Sequence, residues 1–156
     1  MQPLLNTSIR PVWSSIRAPR ASVREVLAQY PSALVDAAAM TACELLENAI
    51  KYGDEVPAAP TILFRLGLAG GRLDIVTVND CTDHSSASRL LRRIQPLRDA
   101  PNKMDPYIER LQEMLHGPSE SANLGLYRIA LEGGFSLDAT YTDEVVTVTA
   151  IRRIYG

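Results

Sequence analysis

The stretch Glu44-Leu-Leu-Glu-Asn-Ala-Ile-Lys-Tyr-Gly53 decides how the rest of the sequence is interpreted. It closes the segment 33–52, which is rich in Ala, Leu and Glu and therefore predicts a helix. The glycine that ends the stretch is suited to a helix C-cap, because glycine adopts left-handed backbone angles at little cost. On a helix, positions i, i+4 and i+7 share one face, and here they are Glu44, Asn48 and Lys51.

This row of side chains combines a carboxylate, an amide oxygen and an ammonium group. Such groups could hold a hydrated Mg²⁺ ion, contact phosphate oxygens and orient a reacting hydroxyl. The alternative is an exposed helix face with a Glu47–Lys51 ion pair, worth about 0.2–0.5 kcal/mol. Asn48 is the least expected residue under that alternative, because asparagine is a mediocre helix former. The helix by itself leaves both interpretations open.

The segments on both sides predict hairpins and further amphipathic helices. The predicted elements are a weak edge strand within 6–16, helices at 21–30 and 33–52, strands at 61–68 and 73–79, two helices within 85–118, a helix at 122–132, and a hairpin of 135–141 with 146–150. The order βααββαααββ predicts one α/β (α+β) domain over residues 1–156. We expect a two-layer sandwich with a mixed, mostly antiparallel sheet and helices on one face.

The strand Leu73-Asp-Ile-Val-Thr-Val-Asn-Asp80 ends in two polar side chains. A carboxylate at the end of a strand could accept a hydrogen bond from the exocyclic amine of a purine. The simpler interpretation is that Asn79 and Asp80 open a turn, as these residue types often do. Both interpretations remain open at this stage.

The stretch Ser121-Ala-Asn-Leu-Gly-Leu-Tyr127 opens the last predicted helix with small residues. The free N–H groups and the dipole at a helix N-terminus favour an anion. The alternative is ordinary N-capping by Ser121 or Asn123, with Gly125 allowing close packing. A single glycine does not decide between these interpretations.

Composition excludes several classes of protein. The 156 residues carry 16 Lys and Arg against 18 Asp and Glu, and this near-neutral balance argues against a dedicated nucleic-acid binder. Two cysteines, Cys43 and Cys81, make no disulfide framework, and two histidines exclude a multi-His metal site. No apolar run approaches the roughly 18–20 residues of a membrane span, and no secretory signal is evident. We therefore expect a cytoplasmic protein without membrane contact.

Taken together, the three motifs resemble those of the GHKL (Bergerat-fold) ATPases, the superfamily of histidine-kinase ATPase domains and anti-sigma-factor kinases. The stretch Glu44–Tyr52 resembles its N-box, and Val76-Thr-Val-Asn-Asp80 lies where its Asp-x-Gly-x-Gly box belongs. Asn123-Leu-Gly-Leu126 resembles the end of its later glycine box. The resemblance implies ATP and Mg²⁺ as cofactors and covers nearly the whole chain.

The resemblance also implies a role for each site residue. Glu44 would be the catalytic base, Asn48 the Mg²⁺ ligand and Lys51 a phosphate contact. Asp80 would bind the adenine amine, and Gly125 would mark a close backbone approach to the triphosphate. The implied nucleotide-binding residues are thus Asn48, Lys51, Asp80, Asn123 and Gly125. The glycine boxes depart from the pattern, because Thr82, His84, Ser121 and Asn123 stand where the superfamily has glycines.

The branch of the superfamily follows from what surrounds the motifs. No histidine precedes the N-box helix, so the chain resembles a stand-alone serine/threonine kinase rather than a sensor histidine kinase. Arg89-Leu-Leu-Arg-Arg-Ile94 and Tyr107-Ile-Glu-Arg-Leu-Gln112 are similar to the helical insert of the branch that phosphorylates STAS-domain partners. The implied function is a kinase-like, anti-sigma-type regulator of a partner-switching signalling pathway. The alternative is a degenerate module that sequesters a partner without chemistry; Trp13 leaves a homodimer open.

Overall fold

The structure, a computed structural model, describes residues 2–54, 59, 61–99, 104–116 and 124–154, with only the backbone at 2 and 113–116. The strands and helices of these residues follow the predicted order. They are β1 (Gln2–Ile9), a 3₁₀ turn (Trp13–Ile16), α1 (Arg17–Val26), α2 (Ser32–Tyr52), β2 (Ile62–Ala69), β3 (Arg72–Asp80), α3 (His84–Asp99), α4 (Met104–His116), α5 (Leu124–Leu131), β4 (Ser136–Thr142) and β5 (Val145–Arg153).

The five described strands form one sheet in the order β1-β2-β3-β5-β4. Each neighbouring pair is antiparallel. The predicted two-layer α/β architecture with a mostly antiparallel sheet is therefore confirmed, and the described strands contain no parallel pair. β3 lies at the centre, which brings the end of that strand beside the C-terminus of α2.

One face of the sheet carries the helices and the core. Strand residues alternate between the two faces, and those on the helix side are the more deeply buried. Leu45 and Leu46 of α2 are buried against this layer. The other face is open and carries partly exposed residues such as Val76 and Val78. Core side chains on the helix side of the sheet include Ile62, Phe64, Leu66, Leu73, Ile75, Val146, Val148 and Ala150.

The boundaries of the elements near the N-terminus differ from the prediction. The strand predicted within 6–16 begins at Gln2 and ends at Ile9. Pro11 follows it, and proline lacks the N–H group that a ladder needs, so the chain turns into a 3₁₀ helix at Trp13. The prediction that this strand lies at a sheet edge is correct. The helix predicted at 33–52 is present as α2.

The first helix starts earlier than predicted. α1 begins at Arg17 rather than near residue 21, and Pro19 lies in its first turn. Proline is tolerated there because the first N–H groups of a helix have no intrahelical acceptor. No helix in the described part of the chain is long and apolar enough to cross a bilayer.

Candidate functional site

Glu44 lies at the contact between α2 and α5. Its side chain is 15% exposed, and its Oε1 accepts a hydrogen bond of 3.0 Å from Nη1 of Arg128. Its Oε2 lies directly against Gly125, where a Cβ atom would overlap the carboxylate. The missing side chain at Gly125 therefore makes room for Glu44. The structure thus brings together two predicted site residues that are separated by 81 positions in the sequence.

Burial is the main influence on the ionisation of Glu44. Desolvation raises the pKa of the Glu44 carboxyl, and the nearby Glu47 carboxylate raises it further. Arg128 opposes this rise through its charge and its hydrogen bond. A carboxylate with a raised pKa in a partly enclosed position is suited to accept a proton.

Asn48 and Lys51 continue the row along α2 towards its C-terminus. Asn48 is 5% exposed, so the amide is buried one turn beyond Glu44. Lys51 is exposed, and its Nζ lies 5.1 Å from the centroid of the Tyr52 ring. The guanidinium carbon of Arg89 in α3 lies 5.9 Å from the same ring. Two cations thus flank this end of α2, and one of them, Arg89, comes from the stretch that resembles the helical insert.

Asp80 does not join this cluster. Its side chain is exposed, and the alternation along β3 places it on the open face of the sheet with Val76 and Val78. The preceding residue, Asn79, is 5% exposed and lies on the helix side. A Cβ at Gly53 would meet the Asn79 amide, so this amide lies against the end of α2. The polar group that faces the helix at the end of β3 is therefore Asn79.

Side chains close the loop that follows β3. The N–H and hydroxyl groups of Thr82 both donate to Asp54 Oδ1, at 2.9 and 3.0 Å. The Cys81 thiol lies 3.1 Å from the Tyr52 carbonyl oxygen, and the Tyr141 hydroxyl donates to the Cys81 carbonyl at 2.6 Å. Burial raises the pKa of the Cys81 thiol, as do the neighbouring acidic groups, so the thiol stays protonated.

The same loop is joined to the start of α3 and to the β4–β5 turn. Asp83 accepts hydrogen bonds from the N–H groups of Ser85 and Ser86, at 3.0 and 3.2 Å, which caps α3. His84 Nε2 lies 3.2 Å from a Glu144 carboxylate oxygen, and the Glu144 carbonyl accepts the Cys81 N–H at 2.8 Å. These contacts fix the conformation of the loop, whereas glycines would leave it flexible.

The side chains available as metal ligands decide whether this site suits Mg²⁺ and ATP. Asn123 lies outside the described residues, so its predicted role has no structural counterpart here. No group of three or more His, Cys, Asp or Glu side chains within the described ranges could hold a metal by itself. The Asn48 amide oxygen is a donor of the kind that Mg²⁺ prefers together with water and phosphate. The residues present therefore fit a metal whose remaining ligands come from a nucleotide.

The sequence matches no known family model and no curated protein. In structure, the chain is similar to the RsbU and RsbW domains of Rv1364c from Mycobacterium tuberculosis, with 15% identity and a TM-score of 0.58, over 99% of this chain and 33% of that one. It is also similar to the histidine kinase domain of the blue-light activated histidine kinase EL346 from Erythrobacter litoralis. That match has 11% identity and a TM-score of 0.50, over 94% of this chain and 62% of that one.

The chain has a GHKL-like fold. It spans less than two thirds of the length of either matched chain. At these identities the similarity concerns the fold, so activity and partners have to be argued from the site itself.

Proposed function

We propose that this protein is an ATP- and Mg²⁺-dependent serine/threonine kinase-like regulator in a partner-switching signalling pathway, acting on a STAS-domain protein. The observation that carries the proposal is the Glu44 carboxylate, held between α2 and α5 with the Asn48 amide buried one turn away. A base next to a metal ligand is the arrangement that phosphoryl transfer to a hydroxyl requires.

In this proposal each residue of the α2 row has one task. Glu44 accepts the proton of the attacking hydroxyl, and Asn48 supplies an amide oxygen to the metal. When bound, Mg²⁺–ATP supplies the transferable phosphoryl group and the metal charge that stabilises its transfer. Lys51 and Arg89 flank the end of α2, where cations would contact phosphate oxygens. The purine amine would be bound by Asn79, whose position on the helix side suits this task better than that of Asp80.

Transfer of labelled γ-phosphate to a purified STAS-domain protein tests the proposal. Glu44→Gln keeps the size of the side chain but removes the base, so the rate should fall by about 10²–10⁴-fold. Glu25→Gln is the matched control, because it neutralises an exposed carboxylate on α1 that is not among the groups acting on Glu44. Equal rates for Glu44→Gln and wild type would show that Glu44 is not the catalytic base.

A second function is favoured by the loop after β3. Where the superfamily has glycines, this loop is hydrogen-bonded to Tyr52 and Asp54 at the end of α2 and to Tyr141 of β4. A loop closed in this way suits a module that binds and sequesters its partner without using nucleotide. Tight binding of the STAS protein with no phosphotransfer by the wild-type protein would support this function. In that case, partner affinity should be the same for wild type and Glu44→Gln.

A further inference from the structure

Arg128 joins two carboxylates, one from α2 and one from the residue that follows α5. Its Nη1 donates to Glu44 Oε1 at 3.0 Å, across the contact between α5 and α2. Its Nε donates to Glu132 Oε2 at 3.2 Å, just past the end of α5. The Arg128 side chain is 50% exposed, whereas the Glu44 side chain is 15% exposed. Glu44, which is more buried than Glu132, is therefore hydrogen-bonded to a guanidinium that is half exposed to solvent.

The position of Glu44 is constrained from two sides. Arg128 holds one carboxylate oxygen, and the backbone at Gly125 lies against the other. Both residues belong to α5, so this one helix determines where the carboxylate lies relative to α2. Arg128 and Glu132 also line a cavity of about 270 Å³ between α2 and α5, with Ala33, Asp36, Ala37 and Met40. Arg128 thus borders both Glu44 and an open cavity.

We propose that Arg128 is a positioning residue, which orients the Glu44 carboxylate for its reaction through the hydrogen bond between the two side chains. This inference rests on the proposed function only for the role of Glu44 in catalysis. Glu132 competes for the same guanidinium, so the strength with which Arg128 holds Glu44 depends on the charge of Glu132. An arginine shared between two carboxylates can shift towards one or the other at small cost, because neither pair is fully buried.

The charged groups around Glu44 determine the sign of each expected effect. Glu47 on α2 and Glu132, just after α5, raise the pKa of Glu44, and Arg128 lowers it. From α1, Arg20 and Arg24 act on the neighbouring Cys43 thiol and lower its pKa, against the effect of burial. Removing Arg128 should therefore raise the pKa of Glu44, and neutralising Glu132 should lower it.

The test is a titration of the Glu44 carboxyl by NMR, with ¹³C-labelled glutamate and assignment by Glu44→Gln. It needs neither nucleotide nor partner, so it remains decisive even if no kinase activity is found. Arg128→Gln should move the titration of Glu44 to higher pH, and Glu132→Gln should move it to lower pH. Arg128→Lys, which keeps the charge but not the fork of donors, should recover part of the shift. Identical titrations in wild type and Arg128→Gln would overturn the proposal.

If phosphotransfer is measurable, its pH profile gives a second readout. Arg128→Gln should move the acidic limb of the rate profile in the same direction as the titration of Glu44. At neutral pH the rate should fall by about 10²-fold, the scale expected when a reacting group is displaced by about 1 Å. ATP affinity should stay unchanged, because Arg128 contacts Glu44 rather than the proposed nucleotide site. A lowered rate with an unmoved pH profile would contradict the positioning role.

Discussion

At the scale of single residues, the contact between Glu44 and Gly125 shows how a functional group constrains its surroundings. Glycine in a helix usually costs about 1 kcal/mol relative to alanine. At position 125 a Cβ would overlap the Glu44 carboxylate, so an added methyl group would displace the end of that side chain. The glycine that resembles part of a phosphate-binding box thus leaves room here for a side chain of the protein itself.

Gly125→Ala should displace the carboxylate end of the flexible Glu44 side chain, and it should also raise helix propensity. Because the displaced group can move, the loss of stability in urea unfolding should be smaller than the cost of about 1–3 kcal/mol for overpacking against fixed neighbours. The control is a double-mutant cycle with Glu44→Ala, since removal of the carboxylate should make room for the added methyl group. A loss of more than about 3 kcal/mol would show that the Glu44 side chain is fixed in this position.

The ionisation of Glu44 predicts a dependence of stability on pH. Its pKa is raised above 4.5 by burial, so the folded state binds this proton more tightly than the unfolded state. That contribution is present at low pH and is lost as the pH rises through the folded pKa. The free energy of unfolding of Glu44→Gln, minus that of wild type, should therefore increase as the pH rises from about 4.5. Urea unfolding at several pH values between 4 and 8 measures this difference. A difference that decreases over this range would contradict a raised pKa of Glu44.

At the scale of elements, the β4–β5 hairpin is closed by two residues with unusual backbone angles. Asp143 and Glu144 have φ values of 52° and 60°, which are those of a type I′ turn. Glycine suits the second of these positions far better than glutamate, because left-handed angles cost an L-residue roughly 1–2 kcal/mol. The Glu144 carbonyl bonds Cys81, and its carboxylate lies beside His84, so the turn is tied to the loop after β3.

Glu144→Gly should stabilise the protein by about 0.5–1 kcal/mol, after the extra freedom of glycine in the unfolded chain is subtracted. The lost pair with His84 is exposed and contributes little. In a thermal melt the gain corresponds to a rise of about 1–4 °C for a domain of this size. Glu144→Ala, which loses the same pair but keeps the strain, is the matched control. It should not exceed wild type in stability.

At the scale of the whole molecule, the antiparallel sheet and the helix layer bring distant motifs together. α2, the end of β3 and the start of α5 meet on one side of the sheet, although they lie far apart in sequence. The structural matches show that the fold is shared with parts of two longer chains. Nucleotide binding is a property of the whole folded protein and can be measured on it.

Mg²⁺–ATP should raise the melting temperature of the wild-type protein. A ligand that binds only the folded state and is present at 100 times its Kd adds about 2.7 kcal/mol of stability. Asn48→Ala should abolish this shift. The quantity compared is the shift with and without nucleotide in each variant, so any stability lost by truncating a buried amide cancels. No shift in wild type at millimolar ATP or ADP would favour the sequestering module over the kinase.

The helix with Glu44, Asn48 and Lys51 could be predicted from sequence because helical periodicity is a local property of the chain. The order of elements and the two-layer sandwich followed from the same local patterns, and the structure confirms both. Which polar group at the end of β3 faces the helices depends on the register of a central strand, and a shift of one residue exchanges Asp80 for Asn79. The partnership of Glu44 with Arg128 and Gly125 also appeared only in the tertiary structure. It joins residues more than 80 positions apart, and such a contact exists only once α5 has packed across α2.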